Sequence, residues 1–245
     1  MSLASIAIEQ IEALAAFDTP TIANAIEVLQ IPHTQFTGPA IRAVVPFERR
    51  IVGMAATATM KEQWGTRFAH IEPWLRYLEE IERTPVPVVA VFHDESAVPG
   101  REAMVGEGMS RVMRACGTIG VICDGAMRDI AALRQMCFPV MAGGLAADRG
   151  RIRFHRYQIP VQICGMLVHP GDLIHADENG AIIVPSDRLA DVLQAAANVS
   201  DKEARLFEMF ERPTFRVAQL TDHYAEALAT ARAEKAQDGA RFDGH

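Results

Sequence analysis

Between residues 88 and 142 short apolar runs alternate with segments of helical spacing, and few folds accommodate that alternation. Val88-Val89-Ala90-Val91-Phe92 is a run typical of a central strand. Val105, Met109, Val112 and Cys116 recur at i, i+4, i+7 and i+11, which predicts a helix over Glu102 to Ala115. Thr118 to Cys123 reads as a second strand, and Asp124 to Asp129 as the turn that leaves it. Ile130 and Leu133 open a further helix, and Phe138 to Ala142 reads as a third strand. Strand, helix, strand, helix, strand is the pattern of a layered α/β core.

The flanking regions obey simpler rules. Residues 3–16 have amphipathic spacing, with Leu3, Ile6, Ile11 and Leu14 as apolar positions. Asp18-Thr19-Pro20-Thr21 marks a break and a new helix start, because proline suits the first helical turn. Ile22, Ile26 and Leu29 line that helix, and Pro32 ends it. Ile51 to Met60 reads as a buried strand, and Ile71 to Ile81 as a helix with Leu75 and Leu78 on its apolar face. His93 to Ser96 reads as a polar, solvated loop. Past Gly150 the chain becomes extended, and Asp172 to Pro185 is expected to form a β-hairpin turning at Asn179-Gly180. Ser186 or Asp187 is a candidate cap for a long helix carrying Leu189, Val192, Leu193 and Ala196. The tail from Ala225 to His245 is Ala- and charge-rich and is expected to be helical, fraying towards its end.

Composition excludes several classes. A chain of 245 residues, 49% hydrophobic, can bury a core without disulfides. Cys116, Cys123, Cys137 and Cys164 form no CxxC pair and have apolar neighbours, so they read as buried reduced thiols of a cytoplasmic protein. A net charge of −7 and the lack of any basic run longer than Arg49-Arg50 argue against a nucleic-acid partner. No apolar stretch is long enough for a membrane span. Glu9 and Glu12, with no basic region before them, argue against a signal peptide.

Two places carry candidate chemistry. The turn Asp124 to Asp129 lies beyond a strand's carboxyl end, where open α/β sheets bind ligands. Its carboxylates and Arg128 suit a hard metal beside an anionic oxygen, although Asp-Gly is also a common turn and Arg-Asp a common surface pair. Gly106-Glu107-Gly108 lies near a helix start, where free amides can receive a carboxylate, or where glycines simply form a loop beside a solvated Glu107. His93, Asp94 and Glu95 form a weaker metal-like group. His155, His169 and His175 lack HExxH-type spacing and read as structural. Trp64, Trp74 and Tyr77 are expected to pack or to line an interface.

Taken together, Gly106-Glu107 and Gly120-Val121-Ile122-Cys123-Asp124-Gly125-Ala126-Met127-Arg128-Asp129 resemble the RraA-like family. That family contains regulator of ribonuclease activity A and class II pyruvate aldolases acting on 4-hydroxy-4-methyl-2-oxoglutarate and 4-carboxy-4-hydroxy-2-oxoadipate. Phe138-Pro139-Val140-Met141-Ala142 and the segment from Gly171 to Gly180 resemble further family motifs in the same order, so the resemblance covers roughly residues 18–200. It implies a three-layer β/β/α swivelling domain over residues 18–200, with helical extensions over 1–17 and 201–245. It also implies a homotrimer or homohexamer, and a Mg²⁺ or Mn²⁺ ion held by Asp129. Arg128 would stabilise charge on a substrate's 2-oxo oxygen, and the amides of Gly106, Glu107, Gly108 and Met109 would receive its carboxylate. The family's aldolases carry Asp where this chain has Glu107, a side chain one methylene longer with the same acid–base chemistry.

The activity so implied is a metal-dependent carbon–carbon lyase that releases pyruvate from a 4-hydroxy-2-oxo acid and also decarboxylates oxaloacetate. No lysine falls in the matched motifs, which argues against a Schiff-base route. Two alternatives stand beside it. One is a non-enzymatic regulator of ribonuclease E acting by protein–protein binding; the other is a related metal-dependent lyase or hydratase on another small carboxylic acid.

Overall fold

The computed structural model describes residues 6–32, 35–65, 71–225 and 229. The chain falls into two compact units, the first ending at Val199 and the second starting at Ser200. The expected apolar position Leu3 and the tail beyond Ala225, apart from residue 229, lie outside the described residues.

Two helices open the first unit, α1 (Ile8–Leu14) and α2 (Thr19–Val28), followed by β1 (Arg42–Val45), β2 (Ile51–Glu62), α3 (Ile71–Arg83) and β3 (Val88–Asp94). The middle of the chain contributes β4 (Ala103–Val105), α4 (Glu107–Ala115), β5 (Thr118–Cys123), β6 (Ala126–Met127), α5 (Ile130–Gln135), β7 (Val140–Ala142) and β8 (Gly144–Leu145). Then come β9 (Ile152–Tyr157), β10 (Val161–Ile163), β11 (Met166–Val168), β12 (Leu173–Asp177) and β13 (Gly180–Val184). A short 3₁₀ turn leads into α6 (Leu189–Phe210), and α7 (Val217–His223) follows.

The main sheet runs β1-β7-β5-β3-β2-β12-β13. Its centre, β2-β3-β5-β7, is parallel, and its flanks are antiparallel. Strand β2 is long enough to divide one edge between two partners, Ile51 to Met54 with β12 and Ala58 to Glu62 with β9. Both faces of this centre are buried, as parallel strands require. Val88, Ala90 and Phe92 point to a core shared with Tyr77 of α3, Met113 of α4 and Leu133 of α5. Val89 and Val91 point the other way, to Ile163 and Met166 of the hairpin β10-β11. The layers are therefore helices, sheet and hairpin, the β/β/α arrangement that the resemblance implied. A third cluster joins Leu14, Ile22 and Ile26 to Val192 through Val52, Leu173 and Ile182.

Local rules account for most boundaries. Asp18 caps α2 by accepting from the Thr21 amide at 2.7 Å, and Pro20 sits in the first turn as expected. Several expectations need correction. The helix over 102–115 is shorter: Ala103 to Val105 form β4, because pairing with β6 satisfies their backbone, and the helix starts at Glu107. On α3 the buried positions are Tyr77, Leu78 and Ile81, while Leu75 is exposed. The hairpin tip is Glu178-Asn179, with Gly180 at φ 147° opening the return strand. Neither Ser186 nor Asp187 caps α6; they lie in the 3₁₀ turn. Of the cysteines only Cys123 is buried; Cys137 is exposed and the other two are half-buried. Trp74 and Tyr77 pack together in the core-side aromatic cluster, whereas Trp64 is exposed beneath the Arg151 guanidinium.

Candidate active site

The small parallel sheet β4-β6-β8 builds the site. Ala103 pairs with Ala126 and Val105 with Met127, so β4 and β6 end side by side. The next residues of each strand, Gly106 and Arg128, therefore emerge together. The Arg128 amide donates to Val105 O at 3.1 Å and fixes that alignment.

Asp129 then adopts a left-handed conformation, φ 60° and ψ 34°, at the entrance to α5. Aspartate is among the few residues with a side chain that tolerate this region. The turn sends its carboxylate back over the start of α4, where Oδ2 accepts from the Glu107 amide at 3.0 Å. Arg128 Nε lies 3.5 Å from the same oxygen. Gly106 is what permits this contact: a Cβ there would sit 2.4 Å from Asp129 Oδ2 and 3.0 Å from Arg128 Cγ. Both side chains stay more than one-third exposed, Arg128 at 37% and Asp129 at 39%.

The structure thus gathers Gly106, Glu107, Arg128 and Asp129 on one open patch, with Gly108 and Met109 in the first turn of α4. The Glu107 amide is already spent on Asp129. The amides of Gly108 and Met109 belong to the first turn, which has no intrahelical acceptors to offer them. The Glu107 carboxylate is held by Arg111 through Nε and Nη2, each 2.8 Å from Oε1. Arg111 is a neighbour of this patch that the motifs do not include, although its i, i+4 spacing from Glu107 is visible in the sequence.

Asp124 does not join this patch through any contact; it braces the main sheet. Its Oδ1 accepts from the Asp94 amide at 2.8 Å, and its Oδ2 lies 2.5 Å from His93 Nδ1. That hydrogen bond raises the His93 pKa against the opposing pull of burial. The segment after His93 is not the solvated loop its composition suggested. Asp94 is buried and accepts from the amides of Ser96 and Gly100 at 3.0 and 2.8 Å. Glu95 binds His155 at 2.7 Å and pairs with Arg156. His175 is buried as well, between Thr19 Oγ1 at 3.0 Å and Phe17 O at 3.0 Å, in keeping with a structural role.

Among the described residues no group of three or more His, Cys, Asp or Glu side chains could cage a metal ion. A Mg²⁺-type ion does not need one: it keeps several waters and binds through one or two carboxylates plus substrate oxygens. Asp129 suits that donor set, being exposed and having Oδ1 unengaged among the described residues. No described helix is long and apolar enough to cross a membrane.

A family model described as RraA-like, Aldolase/RraA, matches residues 19–183. An uncharacterized protein of Methanocaldococcus jannaschii is 31% identical over 70% of this chain and 78% of its own length. A putative 4-hydroxy-4-methyl-2-oxoglutarate aldolase of Halalkalibacterium halodurans is 32% identical over 42% of this chain, and the match spans half of that protein. The crystal structure of Streptomyces coelicolor RraAS2, described as an unusual member of the RNase ES inhibitor RraA family, superposes with a TM-score of 0.65. It covers 81% of this chain and 96% of that one at 22% identity, a likeness of fold.

Proposed function

The chain belongs to the RraA-like family, which includes aldolases and regulators of RNase E, and from that premise we propose that it is a divalent-metal-dependent carbon–carbon lyase. Its substrate class is a small 4-hydroxy-2-oxo acid, cleaved to release pyruvate, with oxaloacetate decarboxylation as a side activity. The observation that carries this reading is the convergence of Asp129 Oδ2, the Glu107 amide and Arg128 Nε at 3.0 and 3.5 Å. A carboxylate, a fixed cation and a helix start meet there within the reach of one small dicarboxylate.

Each residue then has a distinct task. The first-turn amides of Gly108 and Met109 receive the substrate's C1 carboxylate, favoured by the partial positive charge of a helix start. Arg128 donates to the 2-oxo oxygen, where negative charge grows as the C3–C4 bond breaks. The electron pair of that bond moves towards C2 and its oxygen, and the 4-hydroxyl proton leaves as the aldehyde or ketone product forms. Glu107, steadied by Arg111, accepts that proton through water and returns one to C3. Asp129 would hold Mg²⁺ or Mn²⁺, whose contribution is to draw off charge from the 2-oxo oxygen. A homotrimer or homohexamer belongs to the same proposal.

The test is pyruvate release from 4-hydroxy-4-methyl-2-oxoglutarate and from oxaloacetate, coupled to lactate dehydrogenase, with Mg²⁺ and then with EDTA. Release above the enzyme-free, metal-catalysed background, lost on chelation, is the expected result. A folded, metal-supplied protein that releases none from either substrate overturns the proposal and leaves the binding-protein alternative.

A further inference from the structure

A cavity of about 740 Å³ opens at the amino ends of the parallel strands, at the other end of β5 from the candidate site. One wall is α1, which precedes the segment matched by the family model. The other is the starts of β2 and β5 and the lead into β7. Ile11, Ile51, Ile119 and Phe138 give it an apolar lining.

Three guanidinium groups share that lining, those of Arg49, Arg50 and Arg114. None forms an ion pair with a carboxylate among the described residues. Arg50 Nη1 donates to Ala16 O at 3.1 Å and Ala15 O at 3.5 Å, and Arg114 Nη1 to Met136 O at 2.6 Å, so each spends one nitrogen on backbone carbonyls and keeps other donors. Arg49 makes no hydrogen bond among the described residues. Glu12 and Glu48 also line the cavity, and Glu48 Oε1 accepts from Cys137 Sγ at 3.0 Å. Thr118 also lines the cavity; it is 2% exposed, and its hydroxyl has no hydrogen-bond partner among the described residues. Buried hydroxyls are ordinarily paired.

We propose that this cavity binds a small organic anion with an apolar body, of the class of a medium-chain monocarboxylate. Its charged end sits between Arg49 and Arg114, and its chain lies along Ile8 and Ile119, the lining isoleucines that keep accessible surface. A lining that sets apolar side chains beside guanidinium groups with donors to spare favours such a molecule over a bare inorganic anion, which would leave the apolar walls unused. The site is separate from the candidate active site. Arg114 lies in the last turn of α4 and Glu107 in its first, about 10 Å apart along the helix.

The experiment uses the full chain and 1-anilinonaphthalene-8-sulfonate as probe, followed by fluorescence, with decanoate and neutral decanol as competitors. Saturable binding to a single site is expected, displaced by decanoate and not by decanol at equal concentration. Arg49→Gln should raise the probe's Kd about tenfold, the scale of one charge-assisted hydrogen bond, and Arg114→Gln by at least as much. If Arg114→Gln alters the far-UV circular dichroism through loss of its bond to Met136, the exposed and otherwise unengaged Arg49 carries the test alone. An unchanged Kd in Arg49→Gln, equal displacement by decanol, or no saturable binding overturns the proposal.

Discussion

Two aspartates in this molecule perform the same local act with different completeness. Asp129 Oδ2 accepts from Glu107 N, at the start of α4, at 3.0 Å; Asp177 Oδ2 accepts from Thr19 N, at the start of α2, at 2.8 Å. Each is a carboxylate reaching from a distant strand end to a helix start, where an unpaired amide and the helix dipole favour it. Asp177 is 1% exposed, and its other oxygen accepts from the amide and side chain of Asn179. Its bonding is finished. Asp129 is held only through Oδ2 and keeps Oδ1 open on the surface. Structure consumes both oxygens of one carboxylate and leaves half of the other available for chemistry.

The largest effect expected separates the two directly. Asp129→Ala should reduce metal-dependent pyruvate release below detection and weaken Mn²⁺ binding, followed by electron paramagnetic resonance, while the denaturant midpoint barely moves. Asp177→Ala should do the reverse. It strands buried donors and should cost about 2–4 kcal/mol of stability, with turnover per folded molecule preserved. Loss of stability in the first, or of turnover in the second, breaks the contrast. Next in size, Arg128→Ala should lower kcat by about 10²–10³, the scale of a lost electrostatic stabiliser, with little change in thermal midpoint. A kcat near that of the parent removes Arg128 from the site.

The histidines sharpen the comparison through pH. Burial lowers the His175 pKa, partly offset by Asp177. Its neutral form is the folded one, so its contribution is complete above the unfolded value near 6.5 and is lost as pH falls below it. His93, raised by its hydrogen bond to Asp124, works with the opposite sign: its contribution is complete below about 6.5 and fades as pH rises through its folded pKa. Thermal scans between pH 5 and 7.5 should therefore show a steeper acid-side loss in His93→Asn than in the parent, and a shallower one in His175→Asn. Equal slopes in all three contradict the assignment. The smallest effect belongs to Arg111→Ala: stability should change by less than about 0.5 kcal/mol, as for an exposed i, i+4 pair, while kcat falls modestly.

What could be read in advance depended on whether the determining contact was local. The strand before Asp124 and the helix after Asp129 follow from short-range pattern, as does the hairpin near Asn179; the segment from Asp124 to Asp129, expected as a turn, holds strand β6 (Ala126–Met127), which pairing with β4 and β8 creates. Strand β4 is not legible locally, because three apolar residues, Ala103-Met104-Val105, fit both periods; only pairing with Ala126 and Met127, over twenty residues away, selects the strand. The same holds for His93 with Asp124 and for His175 with Thr19, pairs separated by 31 and 156 residues. Within the candidate site the residue types were legible, but the contact of Asp129 with the Glu107 amide was not, since it needs the left-handed turn at 129 and the bare Cα at 106 together.

That left-handed turn also limits the alphabet open to drift. At a φ of 60° glycine, asparagine and aspartate are among the least strained residues, and of these aspartate alone carries charge. Asparagine keeps the oxygen that accepts from the helix start, so one substitution could retire the chemistry and leave the scaffold standing. With Asp129 in the role proposed for it, a lineage built on this turn has a short mutational path between a catalyst and a protein that only binds.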